Sequence, residues 1–223
     1  MFNRELFEYD PQTHVGRYNG KVVPSVTQLV DMLYPMNDDI PQERIKIAAE
    51  RGTKIHGAIE DINKGFDTCD DYGKLLKQAI DKAIESDVVE LKDYVSILSA
   101  YKLKPYDYEE LIFLLDENQD LICFGHYDFT ALSMNDNILF QDGRLYLFDA
   151  KTTSQFYKEK VAFQMSIYAT AYEQCSKNFL SGIYGLWLRD GVSLIPLERK
   201  DNRFVINVCK GLAKNYEKNY EIH

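Results

Sequence analysis

The sequence predicts one domain of mixed α and β structure, a central mixed β-sheet flanked by helices. Helical periodicity dominates residues 26–101, short apolar runs between turn residues occupy 111–148, and helix and strand patterns alternate from 157 onward. This order is typical of an α+β or mixed α/β fold. No linker, repeat or low-complexity tract divides the 223 residues. We therefore expect a single domain over 1–223, with a helical N-terminal part (1–105), a sheet-bearing part (106–200) and a closing helix (201–223).

The first predicted elements are a hairpin and a capped helix. Asn19-Gly20, a dipeptide that favours a tight turn, joins two strand-like segments at 15–18 and 21–23. Ser25 and Gln28 form a capping-box pattern, which predicts a short helix ending near Tyr34. A longer helix is expected from Pro41, and helical periodicity continues over 72–101.

The later elements are mostly strands. We expect strands at 111–115, 121–129 and 145–148, a possible short strand at 138–140, a helix at 157–174, strands at 179–188 and 192–196, and a final helix at 201–218.

Composition and charge restrict the class of protein. A balance of 26 basic and 35 acidic residues gives a net charge of −9, which argues against indiscriminate coating of nucleic acid but allows a local basic track. The four cysteines (Cys69, Cys123, Cys175 and Cys209) contain no CxxC pair, so we expect reduced thiols. Without an apolar leader or a run of roughly 18 apolar residues, no membrane partner is expected and the expected compartment is the cytoplasm.

The segment Leu145–Lys151 is unusual because an apolar strand ends in Asp149 and Lys151. Side chains alternate across a strand, so these two residues should project from the same face. Burying a charge is costly unless it is paired or coordinates a metal. A second acid, Asp128, ends the apolar run that begins at Leu121. Two acids and a lysine at adjoining strand ends are suited to metal-assisted cleavage of a phosphodiester.

This chemistry assigns a role to each of the three residues. Mg²⁺ prefers carboxylate oxygens, so Asp128 and Asp149 are candidate ligands. Lys151 is a candidate for positioning the attacking water or stabilising charge on phosphorus, and burial would be expected to lower its pKa. The alternative is an exposed Asp149–Lys151 pair at a strand edge.

Two helices carry further candidates. Gln164 and Tyr168 are spaced i,i+4 on one helical face, which suits contact with a substrate strand, although a half-exposed pair is the alternative. His56 follows Ile55 in a helical pattern. Gly52 and Gly57 bracket it, and because glycine costs about 1 kcal/mol in a helix interior, they suggest a close approach to the backbone. Arg51 and Lys54 are candidates for phosphate contacts, with a solvated helix face as the alternative.

These motifs together resemble the PD-(D/E)XK nuclease superfamily and its RecB-like exonuclease branch. The resemblance is carried by Arg51-Gly52-Thr53-x-x-His56, Gly125-x-x-Asp128, Asp149-Ala150-Lys151 and Gln164-x-x-x-Tyr168, and the Pro24-Ser25-Val26-Thr27 entry is similar to phage-type and mitochondrial-type members. It implies a restriction-endonuclease-like αβββαβ core. It also implies Mg²⁺ or Mn²⁺ held by His56, Asp128, Asp149 and the Ala150 carbonyl, with Lys151 catalytic and no iron–sulfur cluster. Glu60 and Glu110 are both candidates for a further glutamate.

The resemblance implies a metal-dependent deoxyribonuclease, an exonuclease on single-stranded DNA ends in replication, recombination or repair, with a possible partner protein from those processes. A structure-specific endonuclease and a catalytically silent binding module are the alternatives. The long spacing from Asp128 to Asp149 predicts an extra hairpin around 134–143. His126 is a candidate for either orienting Asp128 or packing.

Overall fold

A five-stranded sheet forms the centre of the protein. The structure, a computed structural model, describes residues 2–11, 13–35, 41–68, 70–189 and 191–220. The strands in these ranges are β1 (Phe7–Asp10), β2 (Val15–Tyr18), β3 (Lys21–Val23), β4 (Leu103–Tyr108), β5 (Leu111–Leu115), β6 (Leu121–His126), β7 (Phe129–Ser133), β8 (Leu145–Lys151), β9 (Gly182–Leu188) and β10 (Val192–Leu197). The helices are α1 (Val26–Leu33), α2 (Gln42–Gly65), α3 (Tyr72–Glu85), α4 (Glu90–Tyr101), α5 (Lys158–Ser176) and α6 (Asn202–Tyr220).

The central sheet has the order β10-β9-β8-β7-β4. The pairs β4–β7, β7–β8 and β9–β10 are antiparallel, whereas β8 and β9 are parallel. Parallel neighbours need a long crossover connection, which α5 supplies between β8 and β9. The predicted α+β fold is therefore confirmed. The chain order α4-β4-β7-β8-α5-β9 follows the expected αβββαβ order, with the β5–β6 hairpin inserted between β4 and β7.

Apolar residues cover both faces of this sheet. Leu145 and Leu147 of β8 belong to the core shared with α1, α5 and α6. Tyr146 and Phe148 belong to the core shared with α2, α3 and α4. Because side chains alternate along a strand, Asp149 and Lys151 continue the first series and project toward α5. The strand pattern alone thus sets the side of the sheet on which they lie.

Two N-terminal predictions are confirmed in detail. Asn19 and Gly20 both have positive φ angles, of 50° and 78°, as the tight turn between β2 and β3 requires. At the start of α1, the Gln28 amide donates to Ser25 Oγ and the Ser25 amide donates to Gln28 Oε1. This capping box satisfies amide groups that precede the first helical hydrogen bond.

Several boundaries differ from the prediction. The periodic segment 72–101 is two helices separated by 86–89, and the run 121–129 divides at Tyr127 and Asp128 into β6 and β7, which belong to different sheets. Residues 138–140 form no strand, and 134–144 is an irregular connection instead of an extra hairpin. Strand β9 begins at Gly182, three residues later than expected. Strands β1 and β4 were missed, and the expected boundary at 105 falls inside β4.

The thiols of Cys123, Cys175 and Cys209 are free. Cys69 and residues 221–223 of the expected closing helix lie outside the described residues. Among the helices of the described ranges, none combines the length and apolar character needed to cross a bilayer.

Candidate metal centre

Asp128 joins three parts of the fold. It lies in the two-residue junction between β6 and β7, where the chain passes from one sheet to another. Its Oδ2 accepts a hydrogen bond of 2.5 Å from the Ala150 amide of β8. Its Oδ1 lies 3.2 Å from Nδ1 of His56 on α2. The N–H and C=O groups of one strand residue point to the same edge, so the Ala150 carbonyl also faces Asp128.

Asp149 and Lys151 form the second part of the site. Lys151 Nζ lies 2.8 Å from Asp149 Oδ2, which confirms that both side chains project from one face of β8. The Asp149 side chain is 3% exposed and the Lys151 side chain 24%. Although Asp149 Oδ2 is ion-paired, it accepts no well-oriented hydrogen bond. The buried carboxylate therefore keeps capacity for a further partner, and the alternative of an exposed pair at a strand edge is wrong.

Helix α5 supports this pair from the side. Lys151 Nζ donates to Gln164 Oε1 at 3.1 Å, and Gln164 Nε2 donates to Tyr168 Oη at 3.3 Å. The Tyr168 ring packs directly against Gly125 of β6. A Cβ at Gly125 would lie 2.9 Å from the Tyr168 ring and 3.0 Å from Val26, so only glycine permits this close packing of β6 against α5 and α1.

Burial and neighbouring charges shift the pKa values of the ionisable groups in the site. The charge of Asp128 raises the pKa of His56 to about 9. Burial works against ionisation of Asp128, but the charge of His56, its hydrogen bond and Lys151 hold the pKa of Asp128 below its ordinary value. Burial raises the pKa of Asp149, and Lys151 offsets only part of that rise.

The expectation that burial lowers the pKa of Lys151 is wrong. Burial does act in that direction, but the charges of Asp149 and Asp128 outweigh it, and the pKa of Lys151 lies above its ordinary value. Lys151 is therefore a cation at neutral pH. It is suited to stabilising negative charge and not to accepting a proton.

Glu109 is the residue that sequence reasoning missed. Its carboxylate, the His56 imidazole and the Asp128 carboxylate each have a donor atom within 4.8 Å of the others. Glu109 occupies the turn between β4 and β5 with a φ of 48°, and its amide donates to the Asp128 carbonyl at 2.9 Å. Burial, followed by the charge of Asp128, raises the pKa of Glu109 to about 7.

The two glutamates considered from the sequence, Glu60 and Glu110, lie outside the cluster of His56, Glu109 and Asp128. Glu110 is exposed, and its charge is felt by Tyr127 and Cys175. Glu60 pairs with Lys64 at 2.8 Å and lines the same cavity as Glu109. The only feature of the sequence that could have indicated Glu109 as a ligand was the pair of consecutive glutamates before a predicted strand. The turn between β4 and β5, in which Glu109 has a positive φ, directs one of them toward His56 and Asp128, and the sequence did not predict this turn.

A cavity of about 490 Å³, the first cavity, opens onto this cluster. Its wall on α2 includes Gly52, His56 and Gly57. A Cβ at Gly57 would meet no atom within 4 Å, and one at Gly52 only Thr152 Oγ1 at 3.8 Å. Within the described residues, no backbone packs against the two glycines. Their lack of side chains widens the cavity beside His56.

Arg51 and Lys54 are not brought to the first cavity. Arg51 pairs with Glu90 at the start of α4. Lys54 Nζ lies 2.6 Å from Asp87 Oδ2 in the connection before α4. His126 packs against Tyr9, with ring centroids 5.2 Å apart, and burial, followed by the charge of His14, lowers its pKa. For His126, packing is the alternative that the structure supports.

The donor set fits a divalent cation. Carboxylate and carbonyl oxygens suit Mg²⁺ and Mn²⁺, and a neutral imidazole adds affinity for transition ions. His56, Asp128 and Glu109 have the donor atoms closest together. The Asp149 carboxylate lies outside that set, but it is buried, short of a hydrogen bond and adjacent to Ala150.

Comparisons with known proteins leave the family open. No protein-family model matches the chain, and no curated protein matches it. One solved structure, "Crystal structure of SSO0001", matches 85% of this chain and 84% of its own length, with 12% sequence identity and a TM-score of 0.38. At that score the likeness carries no argument about this protein.

Proposed function

We propose that the chain is a divalent-metal-dependent deoxyribonuclease. The observation that carries the proposal is the convergence of His56, Glu109 and Asp128 in one cavity, with Asp149 and Lys151 linked to them through the Asp128–Ala150 hydrogen bond. These groups come from α2, the β4–β5 turn, the β6–β7 junction and β8. Convergence from four segments on a cavity is typical of an active site.

Each residue has a role that follows from its chemistry. His56, Glu109, Asp128, Asp149 and the Ala150 carbonyl would hold Mg²⁺ or Mn²⁺, ions that polarise a phosphoryl group and lower the pKa of bound water. Lys151 remains cationic and stabilises negative charge on the phosphate oxygens. Gln164 orients the Lys151 ammonium through their hydrogen bond. The partner of this site is therefore an anionic diester.

The choice of an exonuclease on single-stranded DNA ends rests on the resemblance of the motifs to the RecB-like branch. Action in the cytoplasm and recruitment by a replication or recombination protein belong to the same proposal. A local site of this kind is compatible with the net charge of −9, because its cation, Lys151, is mostly buried against Asp149 and is not part of a basic surface.

Digestion of end-labelled DNA tests the proposal. Single-stranded DNA labelled at the 5′ or 3′ end is incubated with Mg²⁺, Mn²⁺ or EDTA, and the products are followed over time. We expect metal-dependent cleavage that the Asp149→Asn variant lacks, with both proteins equally folded by circular dichroism. Equal metal-dependent cleavage by Asp149→Asn would refute the proposal.

A closed circular single strand separates the two modes of cleavage. An exonuclease leaves the circle intact and degrades the same molecule after it is linearised. Cleavage of the circle would instead identify the endonuclease alternative, with the same site and the same requirement for metal.

A further inference from the structure

A second cavity, of about 620 Å³, adjoins the candidate metal centre. Glu109 lines both cavities, and Tyr168, which Gln164 links to Lys151, lines the second. The volume falls in the range of roughly 300–1,000 Å³ that is usual for ligand sites. A continuous surface therefore leads from the metal-binding cluster past Tyr168 to the N-terminal hairpin.

One wall of the second cavity is aromatic. Tyr9 of β1, His14 of the β1–β2 turn and His126 of β6 lie together there. The Tyr9 ring is 5.2 Å from that of His126 and 6.4 Å from that of His14, centroid to centroid. A 2.9 Å hydrogen bond joins Tyr9 Oη and His14 Nδ1. Such a set of flat rings with polar edges is suited to stacking and hydrogen bonding with a nucleobase.

The other wall is the first turn of α1. Ser25, Val26, Thr27 and Gln28 all line the cavity. The capping box uses the amides of Ser25 and Gln28, and the first helical hydrogen bond is that of the Leu29 amide to the Ser25 carbonyl. The Thr27 amide precedes that bond, at the positive end of the helix dipole, whereas the Val26 amide belongs to the parallel bridge between Ser25 and Phe124. A phosphate is favoured at such a position.

We infer that the second cavity binds a nucleotide of the single-stranded substrate next to the scissile phosphate. The base stacks on the wall formed by Tyr9, His14 and His126, and the phosphate faces the first turn of α1. Glu109, which lines both cavities, connects this subsite to the metal centre, and Tyr168 is linked to Lys151 through Gln164. The inference rests on the proposed function, because it places the substrate of that same site.

Calorimetric titration without metal tests the subsite. Two ligands of eight residues are compared in EDTA at fixed salt: oligothymidylate, and an abasic strand with the same phosphates and no bases. We expect the protein to bind oligothymidylate about tenfold more tightly, which corresponds to about 1.4 kcal/mol and is within the range for one base–aromatic stack.

Two variants assign this preference to the aromatic wall. Tyr9→Leu keeps apolar bulk but removes the ring. His14→Gly removes an exposed side chain at a residue whose φ of 55° glycine accepts. In each variant we expect the preference for bases to fall at least threefold while affinity for the abasic strand stays constant. The control Phe179→Leu removes a ring that is 85% exposed in the loop after α5 and should retain the full preference.

The outcomes are distinct. A tenfold preference that persists in both Tyr9→Leu and His14→Gly overturns the inference, as does equal binding of the two ligands by the unmodified protein. Loss of affinity for both ligands in equal measure also overturns it, since that indicates a general defect. Because the titration needs no catalysis, failure of the proposed function appears separately, as absence of metal-dependent cleavage by the unmodified protein.

Discussion

His56 Nδ1 lies 3.2 Å from Oδ1 of Asp128, and this contact joins the long helix α2 to the junction between the two sheets. The charge of Asp128 raises the pKa of His56 to about 9, so the pair is ionic in the metal-free protein at neutral pH. A metal ion that binds among His56, Asp128 and Glu109 must displace the proton of the His56 imidazole. Protonation of one histidine thus couples folding and metal binding.

Stability of the metal-free protein should fall as pH rises from 7 to 9. A histidine whose pKa is higher in the folded than in the unfolded state stabilises the fold below its unfolded pKa of about 6.5. That contribution is lost as pH passes through the folded pKa of about 9. Chemical denaturation in EDTA at several pH values measures the effect. His56→Gln should flatten the pH dependence in this window, and an unchanged slope would contradict the assignment.

Affinity for Mn²⁺ should change with pH in the opposite direction. Between pH 7 and 9, each ion bound displaces about one proton from His56, so the binding constant should rise about tenfold per pH unit. Titration calorimetry in buffers of different ionisation enthalpy counts the released protons directly. Release of no proton at pH 7.5 would show that His56 is not a ligand.

Glu109 and its neighbour Glu110 form a matched pair for testing the metal site. Glu109 belongs to the cluster with His56 and Asp128, whereas Glu110 is exposed and outside it. Glu109→Gln removes a charged oxygen donor and should weaken Mn²⁺ binding at least about tenfold, on the scale known for altered metal surroundings. Glu110→Gln should leave it unchanged. Equal affinities for the two variants, measured by calorimetry, would remove Glu109 from the site.

Lys151 has a natural control in Lys160. Both side chains are 24% exposed, and each pairs with a carboxylate, Lys151 with Asp149 and Lys160 with Asp31. Lys151→Gln should reduce the rate of DNA cleavage by about 100-fold or more, the scale for losing one group that stabilises developing charge. Lys160→Gln should cleave at close to the normal rate. Melting temperatures of both variants separate a loss of chemistry from a loss of fold.

Gly57 offers a test in which stability and activity move apart. Gly57→Ala places a methyl group in the first cavity, where, among the described residues, it meets no atom within 4 Å other than those of its own helical turn and chain neighbours. Alanine in a helix interior is more favourable than glycine by about 0.5–1 kcal/mol, so the variant should be more stable. Its KM for DNA should rise several-fold because the cavity beside His56 is narrowed.

Gly211 is the control for that experiment. It lies within α6, lines neither cavity, and an added Cβ again meets no atom of the described part of the chain within 4 Å beyond its own helical turn and chain neighbours. Gly211→Ala should gain similar stability with an unchanged KM. If Gly57→Ala also keeps its KM, the first cavity does not hold the substrate.

Local patterns in the sequence determined which nearby side chains pair and where one helix begins. The period of two along β8 was enough to put Asp149 and Lys151 on one face, and their 2.8 Å contact confirms it. Helical spacing was enough to pair Gln164 with Tyr168, and the capping residues Ser25 and Gln28 were enough to locate the start of α1. Each of these relationships involves residues at most four positions apart, where backbone geometry alone decides which side chains meet.

Tertiary structure decided what depends on distant segments. It placed Glu109 in the site and left Glu110 outside, because the conformation of the β4–β5 turn directs only the Glu109 side chain toward His56 and Asp128. It held Arg51 and Lys54 in ion pairs with α4 and the connection before it. It also reversed the expected shift of the Lys151 pKa. Burial removes water from the ammonium, but the fold also places the carboxylates of Asp149 and Asp128 beside it, and their charges raise the pKa. The pKa of a group in a folded site depends on every charge near it, including charges from residues that are remote in the chain. A local sequence pattern does not show which those residues are.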